Sequence, residues 1–171
     1  VEDGALMMQA LAGHDTRDPA SANVEVPDFA AALGGDLKGK RIGVVRHFYE
    51  EEQPADDETR NALEAAYDVL RGLGAEIEDV RLRTIREYMD VKVTIAESEL
   101  YSVHEGNLRT RPGDFGSDFL GRSTPACLIS GPDYVAAQRE RRVMVDQMKP
   151  IWERYDLLVT AGTFAAPRFD A

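Results

Sequence analysis

The sequence lacks a second cysteine, a long apolar run and an excess of positive charge. Cys127 is the only cysteine among 171 residues, which excludes an intrachain disulfide and a zinc site built from several thiolates. A single thiol fits a reducing compartment, so we expect a cytoplasmic protein. We also expect Cys127 to be a small, buried apolar side chain. No apolar run approaches the roughly 20 residues of a membrane-spanning helix, so we expect no membrane partner.

The charge balance and the histidines exclude further classes of protein. Acidic residues outnumber basic ones by 31 to 20, for a net charge of -11, so we expect no nucleic-acid partner. His14 and His47 are interpreted as loop residues, and the three histidines are dispersed without a carboxylate cluster, so we expect no metal site. Gly39 and Gly43 flank a candidate strand, but the spacing of a dinucleotide-binding loop is absent, and we expect no cofactor.

The pattern of apolar residues indicates an α/β fold. Short β-rich segments at 41–45, 76–82 and 156–160 predict three strands. Between the first two, an amphipathic pattern over 58–73 predicts a helix that ends before Gly74. A strand, a helix and a strand within this length form a parallel, right-handed βαβ unit. We therefore predict a small parallel or mixed sheet with packed helices, in a single unit over residues 1–171.

The remaining segments are predicted to be helices and connectors. Apolar residues at steps of three and four predict a first helix that ends before Gly13. No capping residue precedes this helix, which predicts that the chain has been cut from a longer protein. The other predicted segments are a connector at 14–40, a helix over 84–108, an irregular loop at 109–132, and a helix over 133–154 that Pro150 kinks or divides.

Five passages resemble the amidase signature family, in the order in which that family has them. The first predicted helix and its following Asp/Pro-containing turn resemble a passage just downstream of the family's Ser/Gly-rich signature. The strand that opens with Arg41 is similar to the family's Ile-Gly-Val strand. The other passages are Leu70-Arg71-Gly72-Leu73-Gly74-Ala75-Glu76, Tyr134 to Arg141 with its Tyr-x-x-Ala-x-x-x-Arg spacing, and Tyr155-Asp156-Leu157-Leu158-Val159-Thr160 followed by Ala166-Pro167. The family's last strand commonly continues into Pro-Thr, whereas this chain continues into Ala161-Gly162-Thr163.

The resemblance implies part of a larger α/β/α sandwich and an amide-cleaving activity. Members hydrolyse amide bonds or transfer ammonia with a Ser–cis-Ser–Lys triad and a Gly-rich oxyanion turn. The chain contains no paired serines in a Gly-rich stretch, so no catalytic residue is assigned here. The resemblance thus predicts a fragment that supplies scaffold and substrate-pocket walls to an amidase and is inactive alone. The alternative is a stand-alone, non-catalytic α/β interaction or regulatory domain.

Three residues are candidates for binding a small-molecule amide substrate. Thr160 and Thr163 follow the last strand, at the end where α/β folds gather ligands, although a capping role explains them equally well. His104 lies on the second long helix and either faces the active site or belongs to a solvated polar face. Glu97 shares the helix face of His104, and a surface ion pair between them is the simpler interpretation. A sheet fragment also exposes its edges, which predicts self-association through an exposed sheet edge.

Overall fold

The computed structural model describes residues 1–162, which divide into two compact units, Val1–Lys38 and the residues from Gly39 onward. The prediction of one unit over residues 1–171 stays a prediction. Within the described residues, no helix is long and apolar enough to cross a membrane.

The first unit consists of one helix and a series of turns. Helix α1 spans Glu2–Leu11, and none of its residues is buried within the structure. The predicted connector 14–40 contains turns that aspartate side chains stabilise. The carboxylate of Asp15 accepts a hydrogen bond from the backbone N–H of Arg17 at 2.9 Å, and that of Asp18 accepts one from Ala20 at 2.9 Å. Asx hydrogen bonds therefore hold the turns that follow α1.

The second unit is built on a three-stranded parallel sheet. Its strands are β1 (Arg41–Val44), β2 (Glu76–Asp79) and β3 (Leu157–Val159). The strand order is β2-β1-β3, with Ile42 opposite Ile77 on one side and Leu157 on the other. The predicted strands and the α/β class are confirmed, and the sheet is parallel rather than mixed. Both outer strands have an edge that no other described strand pairs.

Helix α2 packs on one face of the sheet. It spans Asp57–Gly72, and the side chain of Asp56 caps it by accepting a hydrogen bond from the backbone N–H of Thr59 at 2.7 Å. Its Tyr67 is completely buried and belongs to a core with Val44 and Tyr49. Burial of these side chains joins the helix to the central strand.

The opposite face of the sheet depends on a close approach at Gly43. A second core of Val45, Val80 and Tyr155, with Leu158 packed against it, lies here. A Cβ atom on Gly43 would lie 2.7 Å from Leu158 Cδ2, 3.0 Å from Val80 Cγ1 and 3.2 Å from the Tyr155 ring. A larger residue in the middle of the central strand would therefore displace the side chains that pack over it.

Two long helices and a short one complete the second unit: α3 (Ile85–Thr110), α4 (Ser117–Ser123) and α5 (Gly131–Arg154). Capping boxes start both long helices, Thr84 with Glu87 for α3 and Ser130 with Asp133 for α5. The helix α5 continues through Pro150, so the interpretation in which this proline divides the helix is wrong.

The segment 109–132 is more regular than the sequence predicts. It contains α4 between two short 3-10 turns, Pro112–Asp114 and Thr124–Leu128. Its prolines lie at the starts of these elements, where they are tolerated, and Gly121 lies within α4 without ending it. Cys127 in the second turn is exposed, so its predicted burial is wrong. A seven-residue helix carries too few apolar positions for a periodic signal.

Candidate functional site

The carboxyl ends of the three parallel strands meet at one edge of the sheet, where α/β folds commonly bind ligands. Thr160 directly follows β3 at this edge and is exposed. Thr163, the second residue predicted to line a pocket there, lies outside the described residues. Arg46 comes shortly after β1, and Asp79 ends β2. This end of the sheet therefore carries the Thr160 hydroxyl after β3, and Arg46 and Asp79 at the ends of the other two strands.

Arg46 joins carboxylates from three parts of the second unit. Its Nε donates to Asp79 Oδ1 at 2.9 Å, and its Nη1 lies 3.3 Å from Glu50 Oε1 and also donates to Glu64. The guanidinium lies 5.4 Å from the centre of the Tyr67 ring. Hydrogen bonding to Glu64 is the main cause that raises the pKa of Arg46 above its ordinary value. Arg46 thus links the end of β2 to α2 through ion pairs. Its positive charge is balanced by the carboxylates that hold it in place.

Two buried tyrosines lie next to Arg46. Tyr49 is 1% exposed and Tyr67 is 0% exposed, and their hydroxyl oxygens are 3.1 Å apart. Burial raises the pKa of both phenols above the ordinary value. Both hydroxyls are therefore protonated at neutral pH, and they form a hydrogen-bonded core pair that is unsuited to act as a general base.

The buried His47 and the half-buried Glu52 form a second pair close to the same edge. His47 is 4% exposed, and its Nε2 lies 3.6 Å from Glu52 Oε1. Neither of these two atoms has a hydrogen-bond partner within residues 1–162. The other carboxylate oxygen of Glu52 accepts a hydrogen bond from the backbone N–H of Ile85 at 2.7 Å, at the start of α3. Sequence reasoning placed His47 in a loop and missed its burial, because no periodic pattern marks a single turn.

The described residues contain no group of three or more His, Cys, Asp or Glu side chains that could hold a metal ion.

His104 lies on α3 in contact with an aromatic cluster. Its half-buried ring makes edge-on contacts with Phe115 and Phe119, at centroid distances of 5.8 and 5.3 Å. The two phenylalanine rings stack on each other at 4.9 Å. These contacts come from the segment that follows α3, whereas Thr160 lies at the sheet edge. A role for His104 in substrate binding stays a prediction.

Glu97 lies two turns before His104 on α3 and is 8% exposed. Its Oε1 is 3.8 Å from Arg122 Nη1, and its Oε2 has no hydrogen-bond partner in the part of the chain that the structure describes. The expected surface ion pair with His104 is therefore wrong. Helical spacing shows which residues share a face of α3. It does not show that α4 packs on this face and buries Glu97.

An apolar groove of about 630 Å³ lies between α3 and α5. Its walls come from the apolar positions of the two helices, and its rim carries charged side chains. The apolar lining is formed by Tyr88, Val91, Ile95, Met144, Met148 and Trp152. All six residues belong to α3 or α5, and the groove shows that part of the surface between these two helices is left open.

Comparison with known proteins relates the whole chain to amide-cleaving enzymes. The chain is 35% identical over 167 residues to an amidase of Pseudomonas putida, covering 98% of this chain and 35% of that protein. It is 43% identical over 193 residues to a glutamyl-tRNA(Gln) amidotransferase subunit of Lysinibacillus sphaericus, covering 99% of this chain and 39% of that protein. The chain thus spans little more than a third of the length of these relatives.

Solved structures agree with the fold. A chain of an inhibitor-bound, vestigial protein complex that reveals the evolutionary origins of an s-triazine catabolic enzyme matches with a TM-score of 0.81 and 26% identity, over 99% of this chain and 36% of that one. A bacterial aryl acylamidase of the amidase signature family matches in fold with a TM-score of 0.73 and 24% identity, over 97% of this chain and 37% of that one. The sequence of residues 1–170 matches the amidase family. The chain belongs to the amidase family.

Proposed function

We propose that this chain forms the scaffold and part of the substrate-pocket wall of an enzyme that cleaves a carboxylic amide C–N bond. The observation that carries the proposal is the family match over residues 1–170 in a sequence without paired serines in a Gly-rich stretch. The nucleophile and its base then come from polypeptide outside these 171 residues, and the chain alone is inactive. No comparison favours a stand-alone interaction or regulatory domain.

The pocket wall in this proposal lies at the carboxyl edge of the sheet. Thr160, at the end of β3, and Thr163 supply hydroxyls that hydrogen-bond the amide or acyl part of a small-molecule substrate. His104, beside Phe115 and Phe119 on α3, is a separate candidate for contact with the substrate. The exposure of Thr160 supports its part in this wall. The relatives' names include an amidase and an amidotransferase subunit, and both carry out chemistry at an amide bond. The proposal requires no cofactor.

Composition supports a cytoplasmic setting for this enzyme. One cysteine, exposed, fits a reducing cytoplasm, and the net charge of -11 disfavours contact with nucleic acid or anionic lipid. Self-association through the open edges of β2 or β3 stays a prediction.

A chimaeric enzyme tests the proposal. Residues 1–171 replace the matching third of the Pseudomonas putida amidase, and ammonia release is measured on that enzyme's amide substrate. We expect a folded, active chimaera in which Thr160→Val raises KM more than it lowers kcat. Thr16→Val, in an exposed turn of the first unit, is the matched control and leaves both constants unchanged. A folded chimaera whose KM and kcat do not respond to Thr160→Val or Thr163→Val would refute the pocket assignment.

A further inference from the structure

One face of α3 carries a straight row of residues, Lys92, Ala96, Glu99, Val103 and Gly106, which we call the α3 stripe. Steps of four, three, four and three residues match the helical repeat of 3.6, so these positions lie above one another. The first three line the groove between α3 and α5. Val103 extends the row beyond the groove and is 75% exposed although it is apolar.

The surface beside the α3 stripe is also apolar and open. Met89 on α3 is 46% exposed, and Trp152 at the α5 end of the groove is 55% exposed. Exposed apolar side chains that are grouped along one face mark an interaction site more often than single scattered ones do. The groove is an open trough along two helices and not an enclosed cavity, which suits another helix better than a small molecule.

The charges on the α3 stripe are complementary to each other. Lys92 and Glu99 are seven residues apart and so lie on the same face, two turns from each other. Neither forms an ion pair within the described residues, whereas other charged residues of α3 pair along the helix, as Arg86 does with Asp90. Glu99 accepts a hydrogen bond from the hydroxyl of Tyr134 at 2.8 Å. If a second copy of the stripe runs in the opposite direction, its anion lies beside this cation and its cation lies beside this anion.

We propose that the α3 stripe is a self-association surface on which two copies of this chain pack α3 antiparallel to α3. A two-fold axis that passes between Ile95 and Ala96 places Lys92 beside the partner's Glu99, and symmetry repeats this pair. The same register places Val103 beside the partner's Tyr88, so the exposed valine fills the open groove of the other copy. Ala96 lies at the axis, where its small side chain allows the two helices to approach closely.

Charge reversal tests this register. The monomer–dimer equilibrium of the 171-residue chain is measured by sedimentation velocity over a wide range of concentrations. We expect Lys92→Glu or Glu99→Lys alone to weaken dimerisation at least about tenfold, because each places two like-charge pairs at the contact. The double variant K92E/E99K restores opposite charges and returns the dissociation constant to near that of the unmodified chain. Lys38→Glu and Glu25→Lys, both in the first unit, are matched controls that leave dimerisation unchanged.

A second variant tests the apolar part of the contact. Val103→Ser weakens dimerisation, whereas Leu128→Ser, at a position that is 83% exposed outside the α3 stripe, does not. Circular dichroism of every variant separates lost association from lost folding. A chain that stays monomeric at all concentrations would overturn the proposal. So would self-association that none of the α3 substitutions alters, because that result places the contact elsewhere, such as at a sheet edge.

Discussion

Replacing Gly43 with alanine is expected to destabilise the second unit by overpacking the centre of the sheet. The new Cβ would lie 2.7 Å from Leu158 Cδ2 and 3.0 Å from Val80 Cγ1, closer than carbon atoms approach without displacement. Forcing an extra methyl into a packed core costs about 1–3 kcal/mol. Lower backbone entropy of alanine in the unfolded chain offsets about 0.4–1 kcal/mol. The net loss is therefore roughly 0.5–2 kcal/mol, at a residue that touches no candidate substrate-binding group.

Urea unfolding followed by circular dichroism measures this loss. For a slope near 2 kcal/mol/M, the expected loss lowers the midpoint by roughly 0.3–1 M. Gly72→Ala is the matched control, because Gly72 ends α2 and a Cβ there meets no atom within 4 Å. Alanine favours the helix, so we expect the control to be neutral or slightly stabilising. If Gly43→Ala were as stable as the control, the inferred close packing of β1 against β3 would be wrong.

Three further changes probe other parts of the structure. Raising the pH above about 10, the ordinary pKa of tyrosine, is expected to lower the urea midpoint, because burial keeps Tyr49 and Tyr67 protonated in the folded state while the unfolded state ionises; a midpoint that falls equally in the double variant Tyr49→Phe/Tyr67→Phe would contradict this. Arg46→Met is expected to cost about 1–3 kcal/mol in the same urea assay, less than a fully buried ion pair because its carboxylate partners are partly exposed; an unchanged midpoint would refute its structural role. Thr84→Ala, which removes the capping box of α3, is expected to cost about 1 kcal/mol by thermal melting, and an unchanged Tm would contradict it.

Local patterns predicted the elements of the fold because strands and helices follow from short-range chemistry. Alternation and β-rich composition located the three strands within a few residues, and Gly74 marked the end of α2. The right-handed rule for βαβ units predicted the parallel pairing of β1 and β2. Pro150 was misleading as a sign of a helix break. The capping box at Ser130 and the apolar face of α5 favour one continuous helix.

Tertiary partners of polar residues were not predictable in the same way. Arg46, His47 and Glu97 each acquire their environment from residues that are distant in sequence or belong to short irregular turns. The carboxylates that surround Arg46 come from three different segments, and Glu97 is buried by α4, which periodicity did not detect. Charge and spacing alone left these side chains indistinguishable from solvated ones. The candidate role of Thr160 rests on strand position, which the sequence did predict.

The most direct test of the central claim is an assay of amide hydrolysis by the purified 171-residue chain. Ammonia release is measured with simple aliphatic and aromatic amides, together with labelling by a serine-directed fluorophosphonate. We predict no hydrolysis above background and no labelling, because paired serines are absent from the sequence. The chimaera with the Pseudomonas putida amidase serves as the active and labelled control. Serine-dependent hydrolysis by the chain alone would contradict the claim that it is a non-catalytic part of an amidase.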